Sequence, residues 1–189
     1  MIRAMVGISA AAFAVYIWGF VFWGASGLPY GAWKKVDNEV AVGQVLKEHF
    51  PTAGVYAIPG YGADEKDTAQ RFENGPVAFV YMTARDGRPM MDPSIMIGGL
   101  VLYFAVSAVM FALLKVANVD PYRRRVGLCM LVGVAGALAI TLGDVVWWQH
   151  DSGWKGWQAF YDVSSFLILG LVISAFTAPD GENDSAATE

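Results

Sequence analysis

RRRVGLCMLVGVAGALAITLGDVVWW, residues 123–148, is the stretch that decides the fold. After three arginines it runs Val126–Trp148 with one carboxylate, Asp144, and no other charge. About 20 apolar residues suffice for a helix to cross a bilayer core. Lipid offers no hydrogen-bond partners, so a spanning segment must satisfy its own backbone, which a helix does. Three further runs have the same character: Ala4–Gly24, Ile95–Leu114 and Gln158–Ala178. The pattern predicts an all-α membrane bundle of four transmembrane helices, 4–24, 95–114, 126–148 and 158–178. A small α+β extracytoplasmic insert, residues 25–94, lies between the first and second.

Composition agrees. Of 189 residues, 56% are hydrophobic and 16% charged, against about 25% charged in soluble domains. The net charge is −4, with no clustered basic face of the kind nucleic acid needs. Nucleic acid is therefore not an expected partner; the lipid bilayer is. The single cysteine, Cys129, falls inside the third run, so no intrachain disulfide is available.

Basic residues set the expected orientation. Lys115 and Arg123–Arg125 lie in the segment 115–125, and Arg3 precedes the first run. Cytoplasmic loops are enriched in Lys and Arg. Both termini then read as cytoplasmic, with the acidic tail 179–189 inside. The insert and the loop 149–157 read as outside. All seven tryptophans sit near the expected outer ends: Trp18, Trp23, Trp33, Trp147, Trp148, Trp154 and Trp157. Indole prefers the headgroup level, so they read as an interfacial belt. The competing reading is an aromatic site for a ring-shaped ligand or pigment. For the first run the rival is a cleaved signal peptide, with Gly24-Ala25-Ser26 as small residues. Its apolar stretch exceeds the usual 7–15 residues of such a segment.

The insert reads as a small folded unit. Asp37 is placed to cap a helix through about Glu48, with Val42, Val45, Leu46 and His49 on one broad face. Pro51 stops it. Residues 54–58 and 77–81 read as antiparallel strands with the helix 37–49 packed on one face, and a turn of helix is expected at Asp67–Phe72. So little structure buries little surface, so the unit needs support from the membrane face or from a partner.

The aromatic-ended first run, Leu28-Pro29, Trp33, Asp37-Asn38-Glu39-Val40, Gly54-Val55-Tyr56-Ala57-Ile58-Pro59 and Gly75-Pro76 together resemble a set of small bacterial membrane proteins of unknown function. The resemblance covers roughly residues 14–114. It implies a bacterial inner-membrane protein with its insert in the periplasm. It carries no activity and no functional residues.

The polar cluster near the outer ends is the candidate site: Asp144, His150, Asp151 and Asp162. Ionisable residues in spans are costly and often functional. Gly133, Ala137 and Thr141 share a face with Asp144, so Asp144 is expected to point into the bundle. Asp162 is expected in the first turn of its helix, where a carboxylate meets the positive dipole end. His150 reads as a loop residue, and no metal-ligand spacing is present. His49 suits a helix C-terminus. Met90-Met91 lacks the repeat or histidine a copper(I) site would carry. No catalytic residue, P-loop, dinucleotide fingerprint or CxxCH motif is found, and nothing names a cofactor.

Three functions are carried forward. The leading expectation is a non-enzymatic accessory subunit or assembly partner of a larger membrane complex, or a homo-oligomer. The second is a small transporter or proton-coupled carrier using Asp144 and Asp162. The third is a membrane enzyme with an outer-interface site. Convergence of the four polar residues in a closed pocket favours the second or third; dispersal into the headgroups favours the first.

Overall fold

The computed structural model describes residues 2–60 and 64–177, without the side chain of Glu65. The tail 179–189 lies outside the described residues. The chain divides into two units, residues 1–33 with 93–189 and residues 34–92.

The first unit holds four helices long and apolar enough to cross a membrane: α1 (Ile2–Ala25), α4 (Pro93–Ala117), α5 (Tyr122–Trp147) and α6 (Ser152–Phe176). At 1.5 Å per residue, 24–26 residues give about 36–39 Å, longer than a hydrocarbon core of about 30 Å. Helix α6 packs against α1 and α5, and α1 packs against α4. The core draws on every helix: Ala11 and Val15, Met110 and Leu114, Cys129, and Leu169 and Ile173.

Close approach of α5 and α6 depends on two glycines. A Cβ at Gly133 would come within 2.5 Å of Phe166 Cβ, and one at Gly170 within 2.8 Å of Cys129 Cβ. The small face expected at Gly133, Ala137 and Thr141 is buried. Between Ala137 and Thr141, however, α5 widens into a π turn, and α1 does the same over Phe20–Ala25. Such turns break the i→i−4 ladder and often mark functional positions; apolar periodicity does not announce them.

Two helix starts lie upstream of the apolar runs. Helix α6 starts at Ser152, six residues before Gln158, because Asp151 Oδ1 caps it by accepting from Trp154 N at 2.8 Å. The loop between α5 and α6 is correspondingly short, and Trp154 and Trp157 are helical. Helix α5 starts at Tyr122, so Arg123–Arg125 form its first turn rather than a loop. Arg125 is buried. Its guanidinium donates to Ser174 O at 3.3 Å, Val119 O at 3.3 Å and Asp120 Oδ1 at 3.2 Å. Arg3 Nη2 donates to Ala175 O and Tyr122 Oη to Leu171 O. Three side chains from α1 and α5 thus take carbonyls of the last turn of α6. The two cations suit its negative dipole end.

The second unit contains α2 (Glu39–His49), β1 (Gly54–Ile58), α3 (Glu65–Asn74) and β2 (Ala78–Met82). The strands pair antiparallel, from Gly54↔Met82 to Ile58↔Ala78, one residue later in β2 than the hydrophobic run suggests. Asn38, not Asp37, caps α2, its Oδ1 accepting from Ala41 N at 3.0 Å. Asp64 caps α3, which is ten residues long rather than one turn. The expected packing of the first of these helices on the sheet is not formed. Helix α2 has no buried residue, and Val40 is 74% exposed. Its main ties are Arg85 Nη2 to Lys47 O at 3.1 Å and the following Phe50 ring, 4.7 Å from Tyr56. Eleven residues with five small or β-branched side chains cannot wrap a two-stranded sheet once Pro51 turns the chain.

Gly133→Leu should separate α5 from α6 and lower unfolding stability by about 1–3 kcal/mol or more, the cost of overpacking. Gly136→Leu, where a Cβ meets nothing within 4 Å, should leave it nearly unchanged. Thermal or denaturant unfolding of the two purified variants checks this.

Candidate functional site

Four inter-helix polar contacts converge on α6 near its first half. Lys155 Nζ donates to Asp144 Oδ2 of α5 at 2.7 Å. Thr141 Oγ1 of α5, inside the π turn, donates to Asp162 Oδ2 at 2.5 Å. Tyr161 Oη shares a hydrogen bond with Tyr103 Oη of α4. Trp18 Nε1 of α1 donates to Ser164 Oγ at 3.0 Å. Between them lies a half-open cavity of about 290 Å³. Trp23, Ile140, Thr141, Asp144, Gln158 and Asp162 are among its walls, with Lys155 and Tyr161 completing them.

Three of the four candidate residues gather here and one turns away. Asp144 and Asp162 share the cavity. His150 stands beside it, with Nδ1 3.9 Å from Asp144 Oδ2. Asp151 is turned to the helix start as a cap. Asp162 is not in the first turn of its helix. With α6 beginning at Ser152, it lies in the third turn, about 15 Å along the axis. The dipole term fades within one turn, so it does not account for this carboxylate. Nor is Asp162 ion-paired among the described residues: Lys155, two turns earlier, is held by Asp144. Its surroundings are a hydroxyl donor and a cavity wall.

The π turns serve this arrangement. The one in α5 carries Thr141 to Asp162. The one in α1 brings Phe22 into the bundle, stacked on Tyr161 at 5.3 Å, and Trp23 onto Tyr161 at 5.2 Å. Gly19 leaves room for the Tyr161 hydroxyl, which a Cβ there would meet at 2.7 Å.

The tryptophans fall into two groups. Trp23, Trp33 and Trp154 cluster with Tyr30 at centroid distances of 4.7–6.4 Å. Trp157 packs on Phe22 and Phe160, and Trp18 makes the bond to Ser164. Trp147 is 81% exposed and Trp148 also points outward. These two and Trp33, which is 59% exposed, have the exposure a simple belt requires; Trp18, Trp23, Trp154 and Trp157 are packed against the bundle end.

Lys155, Gln158, Tyr161 and Tyr103 were not singled out by sequence, and Thr141 was read only as part of the small face. Lys155 carried a signal: it lies seven residues before Asp162, two helical turns on one face. That spacing is informative only once the helix is known to reach back past Gln158. Comparison of the chain with protein-family models, curated proteins and solved structures yields no match. Among the described residues no group of three or more His, Cys, Asp or Glu could hold a metal ion.

The cavity therefore offers one ion pair, Asp144–Lys155, and one carboxylate, Asp162, whose bonded partner among the described residues is the Thr141 hydroxyl. Thr141→Val keeps the shape and removes the donor. It should cost about 1–2 kcal/mol of unfolding free energy, between charged hydrogen bonds in soluble proteins and inter-helix bonds in bilayers. Pairing Thr141→Val with Asp162→Asn in a double-mutant cycle should recover a coupling energy of that size. Additive losses would count against the contact.

Proposed function

We propose that the protein is a non-enzymatic, four-span protein of the bacterial inner membrane that takes up a proton or small cation at Asp162, as a carrier or relay. The observation that supports this is Asp162 itself. It is a carboxylate in the third turn of an apolar helix, at a cavity wall, with no cation bonded to it among the described residues. A charge at such a depth is costly unless it has a task or a partner. The helix-dipole account that would make it structural does not reach that far. Asp144 and Lys155 act beside it as a fixed pair that holds α5 to α6 and shapes the mouth of the cavity.

The accessory-subunit reading is the second, and one observation favours it. The unit 34–92 leaves Val40, Val45, Val55 and Tyr81 more than half exposed, a surface suited to cover by another protein or by lipid. The likeness to small bacterial membrane proteins of unknown function supports the location.

In this reading both termini are cytoplasmic and residues 34–92 are periplasmic. Exposed Arg123 and Arg124 stand near Arg3 and the end of α6, and the tryptophans gather at the other end. A reporter fused after Glu189 should be active only as a cytoplasmic reporter, and one inserted after Lys35 only as a periplasmic one; the reverse pattern would overturn the orientation. For the activity, vesicles reconstituted with purified protein should dissipate an imposed pH gradient. Asp162→Asn should abolish the dissipation at unchanged folding, and Asp162→Glu should retain part of it. Vesicles no leakier than empty ones, together with a stoichiometric protein partner after mild purification, would move the conclusion to the accessory reading.

A further inference from the structure

The cavity has a composition that narrows its occupant. Its ionisable walls are Asp144, Lys155 and Asp162, with Tyr161 as a phenol. Lys155 and Asp144 neutralise each other at 2.7 Å, which leaves one uncompensated negative charge on Asp162. A partly enclosed site with one net negative charge is completed by one positive charge. Size leaves room for more than a bare ion. Water takes about 30 Å³ of liquid each, so about 290 Å³ is the space of several waters. The remaining walls favour carbon as well as charge. Ile140 is aliphatic, and Trp23 and Tyr161 meet at 63° with centroids 5.2 Å apart, two sides of an aromatic corner. Aromatic faces attract ammonium groups within about 6 Å. A second observation is independent of charge. Gln158, also a wall of the cavity, has its Oε1 buried without a hydrogen-bond partner. A buried amide oxygen of this kind needs a donor.

We propose that the cavity binds a small protonated organic amine, with its ammonium between Asp162 and the Gln158 carbonyl and its carbon skeleton against Trp23, Tyr161 and Ile140. This deepens the carrier reading above and rests on it. A primary ammonium satisfies both the charge and the Gln158 acceptor. A quaternary ammonium satisfies the charge and the rings but has no N–H to give Gln158. An alkali ion satisfies the charge alone. The order of binding is therefore primary amine, quaternary ammonium, sodium.

Titration calorimetry on the full chain in phosphatidylcholine nanodiscs tests this order with phenethylammonium, tetraethylammonium and sodium chlorides. Phenethylammonium is expected to bind saturably at one site per chain, tenfold or more tighter than sodium. Asp162→Asn should weaken it at least tenfold. Gln158→Leu should weaken phenethylammonium severalfold and leave tetraethylammonium unchanged, a discrimination that general unfolding would not produce. Trp23→Ala should weaken both. Binding unchanged in Asp162→Asn, or sodium bound as tightly as the amines, would overturn the proposal. So would saturable binding of neither amine by wild-type protein. In that last case, proton uptake that still depends on Asp162 would leave the carrier reading standing with the proton as its only cation; loss of both would remove the two together.

Discussion

One helix is the common partner of the others. Along α6, Lys155 and Asp162 reach α5, Tyr161 reaches α4 and Ser164 receives α1. At its far end the carbonyls of Leu171, Ser174 and Ala175 are taken by Tyr122, Arg125 and Arg3. In an apolar surrounding, hydrophobic burial gives helices little reason to associate, and packing with inter-helix hydrogen bonds takes its place. The glycine contacts at Gly133 and Gly170 bring α5 and α6 close enough for those short polar bonds to form. Packing and polarity are thus one constraint, and the cavity is the place where they leave a gap.

The architecture was legible because span length and apolar runs are coarse, cumulative signals. Four runs became four long helices, and two alternating stretches became a strand pair. The ends were less legible, for a physical reason. A hydropathy window responds to what a side chain prefers to touch, whereas a helix begins where its first N–H groups find an acceptor. Asp151 supplies that acceptor six residues upstream of the apolar run. That displacement moved Asp162 from a helix start to a helix middle and changed its meaning. Asp144 was legible as inward-facing from its small neighbours; its partner Lys155 was read as loop. The π turns have no composition of their own and could not be read.

The unit 34–92 illustrates the opposite limit. Its caps, strands and turns follow local rules, and local rules were enough to find most of them. Its tertiary packing was not legible because there is little of it. The alternation in β1 and β2 places Val55, Tyr81, Ala57 and Phe79 on one face, and that face remains substantially exposed. A domain of about 60 residues has a poor ratio of interior to surface, and this one does not gather its apolar side chains into a single core. Its stability is therefore tied to what surrounds it more than that of the helical unit is.

The π turn in α5 also has a genealogical consequence. A π turn accommodates one residue more than the α-helical ladder would, so a single-codon insertion or deletion is the natural way to gain or lose it. Removing one residue between Ala137 and Thr141 would restore regular winding, and because the bulge had absorbed that residue the helix after it would stay close to its present register. Asp144 would then keep Lys155 and Gly133 its close contact, while Thr141, inside the turn, would lose its place against Asp162. In a lineage of such chains, one indel is enough to add or remove the hydroxyl that faces Asp162 without disturbing the bundle that holds it.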